Sequence, residues 1–527
     1  MSDSKILPNL PYLCLAQIIF ELSDSSSDLY SCLFVNSMWC RCAIAHLWQR
    51  PFCWPGDKAG RMVAKFLQLF PQGYLDDLEY VMGIHIPPHN SKPMFNYLHF
   101  VRTMKILHCI NAIEYYLGSS FGHDLDVLND TDIRLLLLKL CRGIVANCPL
   151  LAEVDMKLGY DNGYDGYKWT ASSWNLFRFR GLNTNLNYLR RFKFSQGFHP
   201  NILDSAAETL TNLDFFQFDW SEHAICTDGT KWCSAISKLL CNQKGLKGAS
   251  LNLEFQPSEI KLQSIWQALY TQAETLRKVK VLFADDDICN LISTFSKFTN
   301  LYYVKLIGCT FRPRYHICFP PEIFSNLHVL KLEEITTNVY GLEALLGNVK
   351  TRLETLSVKE IYEVEYDIEL WKRCATNTPN LVSLEVRLDL EDYVPLIQTI
   401  IPLWKRLKNL TIYVWKTQFH EQGNLSFSNA LVLLGTNLPS SVKFLRLEIY
   451  CQHLSSETFT LFLRNCSAKL ESLSLRINGV IDDNFVVTML EHMGDSLKSV
   501  NLNGSGSLSP EIRDKLASIP KVVLNVW

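Results

Sequence analysis

One apolar frame, L-x-x-L-x-L with apolar substitutes, recurs through most of this chain and limits what it can fold into. Written by its first two anchors, the frame stands at Leu151/Val154, Leu186/Leu189, Leu210/Leu213, Leu246/Ala249, Leu276/Val279, Leu301/Val304, Leu327/Leu330 and Leu353/Leu356. It continues at Leu381/Leu384, Leu407/Leu410, Val442/Leu445, Leu470/Leu473 and Leu497/Val500. The first-anchor steps from Leu276 to Leu407 are 25, 26, 26, 28 and 26 residues. A sustained period of that size marks stacked supersecondary units. Alternating apolar positions within the frame suit a half-buried strand. Between frames, 342–346, 397–407, 459–463 and 485–493 read as helices. Strand and helix each bury one face against the other and against the neighbouring units. Val522, Val523, Leu524 and Val526 are expected to add a last strand.

At 527 residues the chain exceeds what one compact core holds, which agrees with an array. The period fits the leucine-rich repeat, whose consensus continues with Asn or Cys; Cys309 and Asn478 satisfy it. The sequence therefore predicts an α/β repeat over 131–527, a solenoid with a curved parallel sheet inside and helices outside. It would comprise about 13 degenerate repeats.

The opening stretch differs. Leu15, Ile18, Ile19 and Leu22 lie at i, i+3, i+4 and i+7, one face of a helix. The polar run 23–28 ends in Asp28, a suitable cap for a second short segment from Leu29 to Val35. Ser37 is positioned to cap a third segment through Trp39, Ile44, Leu47 and Trp48, which Pro51 stops. This pattern resembles the F-box, approximately L-P-x-E-x-L-x-x-I-F-x-x-L followed by a leucine-rich turn and V-N-x-x-W…LW. Leu10, Pro11, Leu15, Ile18, Ile19 and Leu22 fall on its positions, then Leu33, Val35, Asn36, Trp39, Leu47 and Trp48. It departs at Leu13, where the motif has an acid, and at Ile19, where Phe is common. Residues 1–54 are thus expected to form an F-box-like helical domain, and 55–130 a helical connecting region.

The order of the two parts resembles the F-box/leucine-rich-repeat family. That resemblance implies a substrate receptor of a Skp–cullin–F-box ubiquitin ligase. The helices would dock a Skp-family adaptor, and through it a cullin ligase, by Leu10, Pro11, Leu15, Ile18, Ile19, Leu33, Val35 and Trp39. The repeats would hold a target protein. The alternative is a non-catalytic repeat scaffold whose N-terminal helices only cap the solenoid. Within the repeats, residues flanking the anchors should line the concave face: Lys278 and Lys280, Tyr303 and Lys305, then Lys331, with Lys359 and Arg387 continuing the row. Such a row suits an acidic or phosphorylated segment. Glu333 and Glu385 in the same stretch allow the plainer reading of a solvated, counter-charged face.

No catalytic or cofactor pattern competes. There is no Gly-rich phosphate loop, G-x-S-x-G or His-Glu-x-x-His, so neither an enzyme nor a cofactor site is expected. Cys14, Cys32, Cys40, Cys42 and Cys53 lack the paired knuckles of a zinc site and read as core thiols. Pro87-Pro88 separates His85 from His89, and 161–166 lacks the spacing of a calcium loop. That acidic stretch, with Tyr160, Tyr164, Tyr167 and Trp169, reads as an exposed insertion. The net charge of −2 gives no argument for a nucleic-acid partner. Seventeen scattered cysteines, no apolar leader and no membrane-length run together predict reduced thiols and a cytoplasmic or nuclear site, away from membranes. The run Leu135–Leu138, between Arg134 and Lys139, is expected to be a buried helix.

Overall fold

The computed structural model describes residues 11–23, 25–54, 56–70, 93–121, 130–157, 175–178, 186–220, 229–254, 262–284, 288, 291–292, 295–313, 324–362, 368–388, 394–414, 423–449 and 454–526. The chain forms two units, residues 1–251 with 255–272, and residues 252–254 with 273–527. The acidic insertion at 161–166 and both His85 and His89 lie outside the described residues.

In the first unit the opening segments are helices: α1 (Tyr12–Glu21), α2 (Ser26–Cys32) and α3 (Ser37–Leu47). The caps sit upstream of those expected. Ser25 Oγ accepts from the Asp28 amide, and Asn36 Oδ1 from the Met38 and Trp39 amides at 2.9 and 3.0 Å. Asp28 is inside the first turn of α2, where its charge suits the helix dipole. Leu15 and Ile19 meet Leu29, Cys32, Cys42, Ala43 and Leu47 in a small core.

Helix α4 (Asp57–Leu69) follows and packs on the helix Ile106–Phe121. Gly60 allows the approach: a Cβ there would stand 3.0 Å from the Tyr116 nitrogen. Residues 55–130 are not purely helical, however. They contain strand β1 (Thr103–Lys105), whose Met104 pairs in parallel register with Val154 of β2 (Glu153–Met156). The sheet therefore begins before residue 131. The run Leu135–Leu138 lies in the helix Asp130–Asn147, as expected, with Leu136 and Leu137 buried.

Next come β3 (Arg191–Ser195), β4 (Phe215–Asp219) and β5 (Gly248–Asn252). Val154, Phe192 and Phe216 align across β2 to β4. The frames expected at Leu186/Leu189 and Leu210/Leu213 are thus displaced by one L-x-x-L spacing. Phenylalanine takes the second anchor, while Leu189 and Leu213 take the first. All these side chains are buried, so apolarity alone could not set the phase.

The second unit repeats the plan with β6 (Lys278–Leu282), β7 (Tyr303–Ile307), the short β8 (Thr310–Phe311), β9 (Val329–Thr337), β10 (Thr355–Tyr362) and β11 (Ser383–Leu388). It continues with β12 (Asn409–Val414), β13 (Phe444–Ile449), β14 (Ser472–Val480), β15 (Ser499–Ser505) and β16 (Lys521–Val526). The strands pair in parallel and in chain order, apart from β8, which pairs β9 beside β7. The chain is therefore an α/β leucine-rich-repeat array. Val279, Val304, Leu330, Leu356, Leu384, Leu410, Leu445, Leu473 and Val500 stand in one register line, each at most 2 % exposed. Burying one such side chain stabilises by roughly 1.5–3 kcal/mol. The last strand, β16, is present where expected, with Val522 beside Val500.

Helices return the chain between strands, including Val339–Leu346, Ser456–Asn465 and Asp483–Met493. The helix expected over 397–407 is only a π turn and a 3-10 turn ending at Leu403, because Pro402 interrupts it. Cys309 is fully buried, with Sγ 3.2 Å from the Ile307 carbonyl, so the thiol takes the polar consensus place.

Two regularities of the backbone matter below. First, before most of the described strands one carbonyl accepts two successive amides from the next. In the first unit, Gln49 O accepts from Arg102 and Thr103, both at 3.1 Å; Arg102 O accepts from Ala152 and Glu153, and Ala152 O from Arg190 and Arg191. Second, a left-handed residue follows the same register position in four repeats of the second unit: Phe283, Gly308, Glu334 and Glu360, with φ between 54° and 59°. The Gly308 amide bonds the Glu333 carbonyl at 2.9 Å.

Candidate interaction surfaces

The N-terminal module has an inner and an outer side. Its inner side meets α4, Tyr97 and the first strand. Trp48 stacks on Phe66 of α4 at 5.3 Å and lies 4.2 Å from Tyr97, ring centre to ring centre. Gln49 completes the contact through its carbonyl, which plays toward β1 the part that Arg102 plays toward β2.

Large apolar side chains of the module are also exposed. Leu13 is 80 % exposed and Phe34 73 %, and Tyr12, Phe20, Tyr30 and Val35 are more than half exposed. Tyr30 and Phe34 contact edge to face at 5.2 Å, one turn apart on the chain. Of the residues expected to dock an adaptor, Pro11 and Val35 are exposed and Ile18 is accessible. Leu33 and Trp39 are half-buried against the module core. Leu15 and Ile19 are 0 % exposed, so they support the outer side from beneath and present no surface. Leu10 lies outside the described residues. Leu13, Tyr12, Tyr30 and Phe34 went unassigned; their signal was apolar character away from the core stripe.

The second surface is the face of the β6–β13 sheet opposite the buried anchors. Lys280, Lys305 and Lys331 stand side by side in register, as the alternation required. Lys278 Nζ sits 4.6 Å from the Tyr303 ring centre, a cation–π contact. Carboxylates are interleaved with the row. Glu333 pairs with Lys305 at 3.1 Å. Lys359 reaches Glu385 at 2.6 Å and lies over the Tyr413 ring. Glu385 also accepts from the Tyr413 hydroxyl at 2.7 Å and from Ser357 at 2.9 Å. Arg387 pairs with Glu360. In β13, Glu448 is 2 % exposed and accepts from Arg446 Nε at 2.6 Å.

The electrostatics follow from that packing. Burial raises the Tyr413 hydroxyl well above its usual range, and its bond to the Glu385 carboxylate adds to the rise. Tyr303 is raised by burial and by Glu333. For Glu385, burial works against the charge, but bonds from Lys359, Tyr413 and Ser357 outweigh it and hold the carboxyl below its ordinary range. The face is thus a lattice of paired charges with tyrosines between them. The Lys305–Glu333 and Lys359–Glu385 pairs are largely buried, so desolvation offsets much of their attraction.

Among the described residues no group of three His, Cys, Asp or Glu is placed to hold a metal ion. No described helix is long and apolar enough to cross a membrane. The described cysteines are free thiols; Cys32 and Cys42 belong to the module core, whereas Cys14 and Cys53 are exposed, contrary to the core reading of all five.

No family model matches the chain, and comparison with curated proteins finds no relative. Similar solved structures include the Rad7 and Elc1 complex of yeast, at 12 % identity over 63 % of this chain and 81 % of that one, with a TM-score of 0.35. The leucine-rich-repeat protein LegL7 of Legionella pneumophila is similar at 11 % identity over 60 % and 97 %, TM-score 0.29. A leucine-rich-repeat protein of Leptospira interrogans is similar at 15 % over 66 % and 87 %, TM-score 0.31. At these scores the repeat assignment rests on the strand register of the chain itself.

Proposed function

We propose that the chain is the target-recognising adaptor of a Skp–cullin–F-box type ubiquitin ligase. The outer side of α1, with Tyr30, Phe34 and Val35, docks the Skp-family adaptor, and the repeats hold the target. The observation that carries this reading is the separation of duties in the module. Its inner side, through Trp48 and Gln49, already meets α4 and the first strand. Its exposed apolar residues are a different set, unnecessary for capping and matched in part by the F-box pattern. Exposed large apolar side chains such as the Tyr30–Phe34 pair suit a protein interaction site. The chain then performs no bond chemistry; it raises the local concentration of target lysines near a conjugating enzyme.

The second reading, a scaffold whose helices only cap the array, is favoured by the Gln49 carbonyl. The two part in a binding experiment. Full-length chain mixed with a Skp-family adaptor should elute as one complex, and Pro11→Ala with Ile18→Asp should release the adaptor while circular dichroism stays unchanged. Failure of the wild-type chain to bind would leave the capping role alone. A fully binding double variant would show that the docking surface is misplaced.

A further inference from the structure

We propose that a pocket at the join between the N-terminal module and the first strand binds a phosphate dianion, free or as a monoester. The pocket has a volume of about 90 Å³ and is lined by Arg50, Phe52, Cys53, Thr103, Lys105 and His108. Three of these six can carry positive charge, one offers a hydroxyl, and no carboxylate forms the wall. Asp155, register partner of Lys105 on β2, reaches Lys193 at 3.6 Å. Among the described residues neither Arg50 nor Lys105 pairs with a carboxylate.

The donors choose the ligand class. A guanidinium fork, an ammonium, a hydroxyl and an imidazole suit a group with three terminal oxygens and nearly two negative charges. A carboxylate would leave several of them unmatched. A single water needs roughly 10–15 Å³ of such space, so the pocket has room for a small tetrahedral anion. Phe52, 5 % exposed, gives the pocket an apolar wall that strengthens charge recognition. Arg50 and Lys105 come from segments tied together by the Gln49 carbonyl, which bonds the Arg102 and Thr103 amides at 3.1 Å. The backbones that carry the donors are therefore held together before the ligand arrives. Burial lowers the His108 pKa and Lys105 adds to this, while Asp155 opposes it. A bound dianion would draw the imidazole back toward its charged form.

The phosphate group has two sources, a phosphorylated side chain of a bound protein or free inorganic phosphate. Isothermal titration of the full-length chain with N-acetyl-phosphoserine amide and with inorganic phosphate separates them. Both should saturate one site; a tighter ester identifies the side chain, equal affinity a free phosphate. Arg50→Ala and Lys105→Met should each weaken binding roughly tenfold, whereas Lys498→Met, a cation in the other unit, should change nothing. As a readout that needs no variant, the His108 ring resonances should move with the same saturation curve. Acetate should compete poorly. The proposal is overturned if neither probe saturates at millimolar concentration, if the Arg50→Ala/Lys105→Met chain binds unchanged, or if His108 does not respond.

Discussion

Replacing Gly308 by alanine tests the column of left-handed residues that sets the strand ends in the second unit. Two costs combine. An L-residue at φ 59° costs roughly 1–2 kcal/mol. The new Cβ would also stand 2.3 Å from Phe283 Cδ1 and 2.8 Å from its Cε1, far inside contact distance. The ring must then move, and forced repacking of this kind costs about 1–3 kcal/mol. Gly308→Ala should therefore destabilise by roughly 2–5 kcal/mol, read as a lower urea midpoint by far-UV circular dichroism. Only the clash belongs to the pair. In a Phe283→Ala background the cost of Gly308→Ala should fall to the backbone part, about 1–2 kcal/mol, giving a coupling of at least about 1 kcal/mol. Glu334→Gly, one repeat along the same column, relieves the backbone cost but frees the unfolded chain, and should stay within about 0.5 kcal/mol. Equal costs of Gly308→Ala in both backgrounds would refute the stacked arrangement of Phe283 over Gly308.

Phe34→Asp should leave the thermal midpoint within about 1–2 °C and weaken Skp-family adaptor binding by at least roughly thirtyfold, since large exposed aromatics at interface centres contribute 2 kcal/mol or more; surface plasmon resonance would read it. Trp48→Ala removes the stack on Phe66 and should cost about 3–5 kcal/mol in the first unit, with faster hydrogen exchange at the Arg102 and Thr103 amides. Glu385 holds its charge below the ordinary carboxylate range, so its contribution to stability is complete above the unfolded value near 4.3 and is lost as pH falls through the lowered folded value. The unfolding midpoint of the wild type should therefore drop more between about pH 6 and pH 3 than that of Glu385→Gln; parallel curves would show that the Lys359–Glu385–Tyr413 cluster is not coupled to folding.

The repeat architecture was readable because strand register and apolar period are one property. From Leu276 onward the frame written from leucines is the frame the hydrogen bonds use. The phase failed at β3 and β4, where Phe192 and Phe216 replaced the expected aliphatics and leucines three residues upstream were equally apolar. Strand β1 was missed because three residues carry one apolar anchor, Met104, too little for any period. The amphipathic stripe in α1 placed Leu15 and Ile19 on one face, which is buried, whereas Ile18 of the stripe and the off-stripe Leu13 are exposed. The lysine row was legible from alternation, and so were Glu333 and Glu385. Their pairing was not, because it depends on side chains contributed by different strands. The Gln49 contact had no sequence signal at all, since it is made by a backbone carbonyl.

That carbonyl has a mechanical consequence. A docking domain joined by a flexible linker would sample many orientations, and its cargo would be presented by chance encounters. Here the first translation of the sheet's hydrogen-bond lattice starts inside the module itself, at Gln49. The Gln49 joint, with Trp48 against Phe66 and Tyr97, holds the module to the first strand of its own unit. Orientation is inherited as a lattice step, which makes the module a transferable part: grafted with its Trp48-Gln49 corner, it would carry its angle with it.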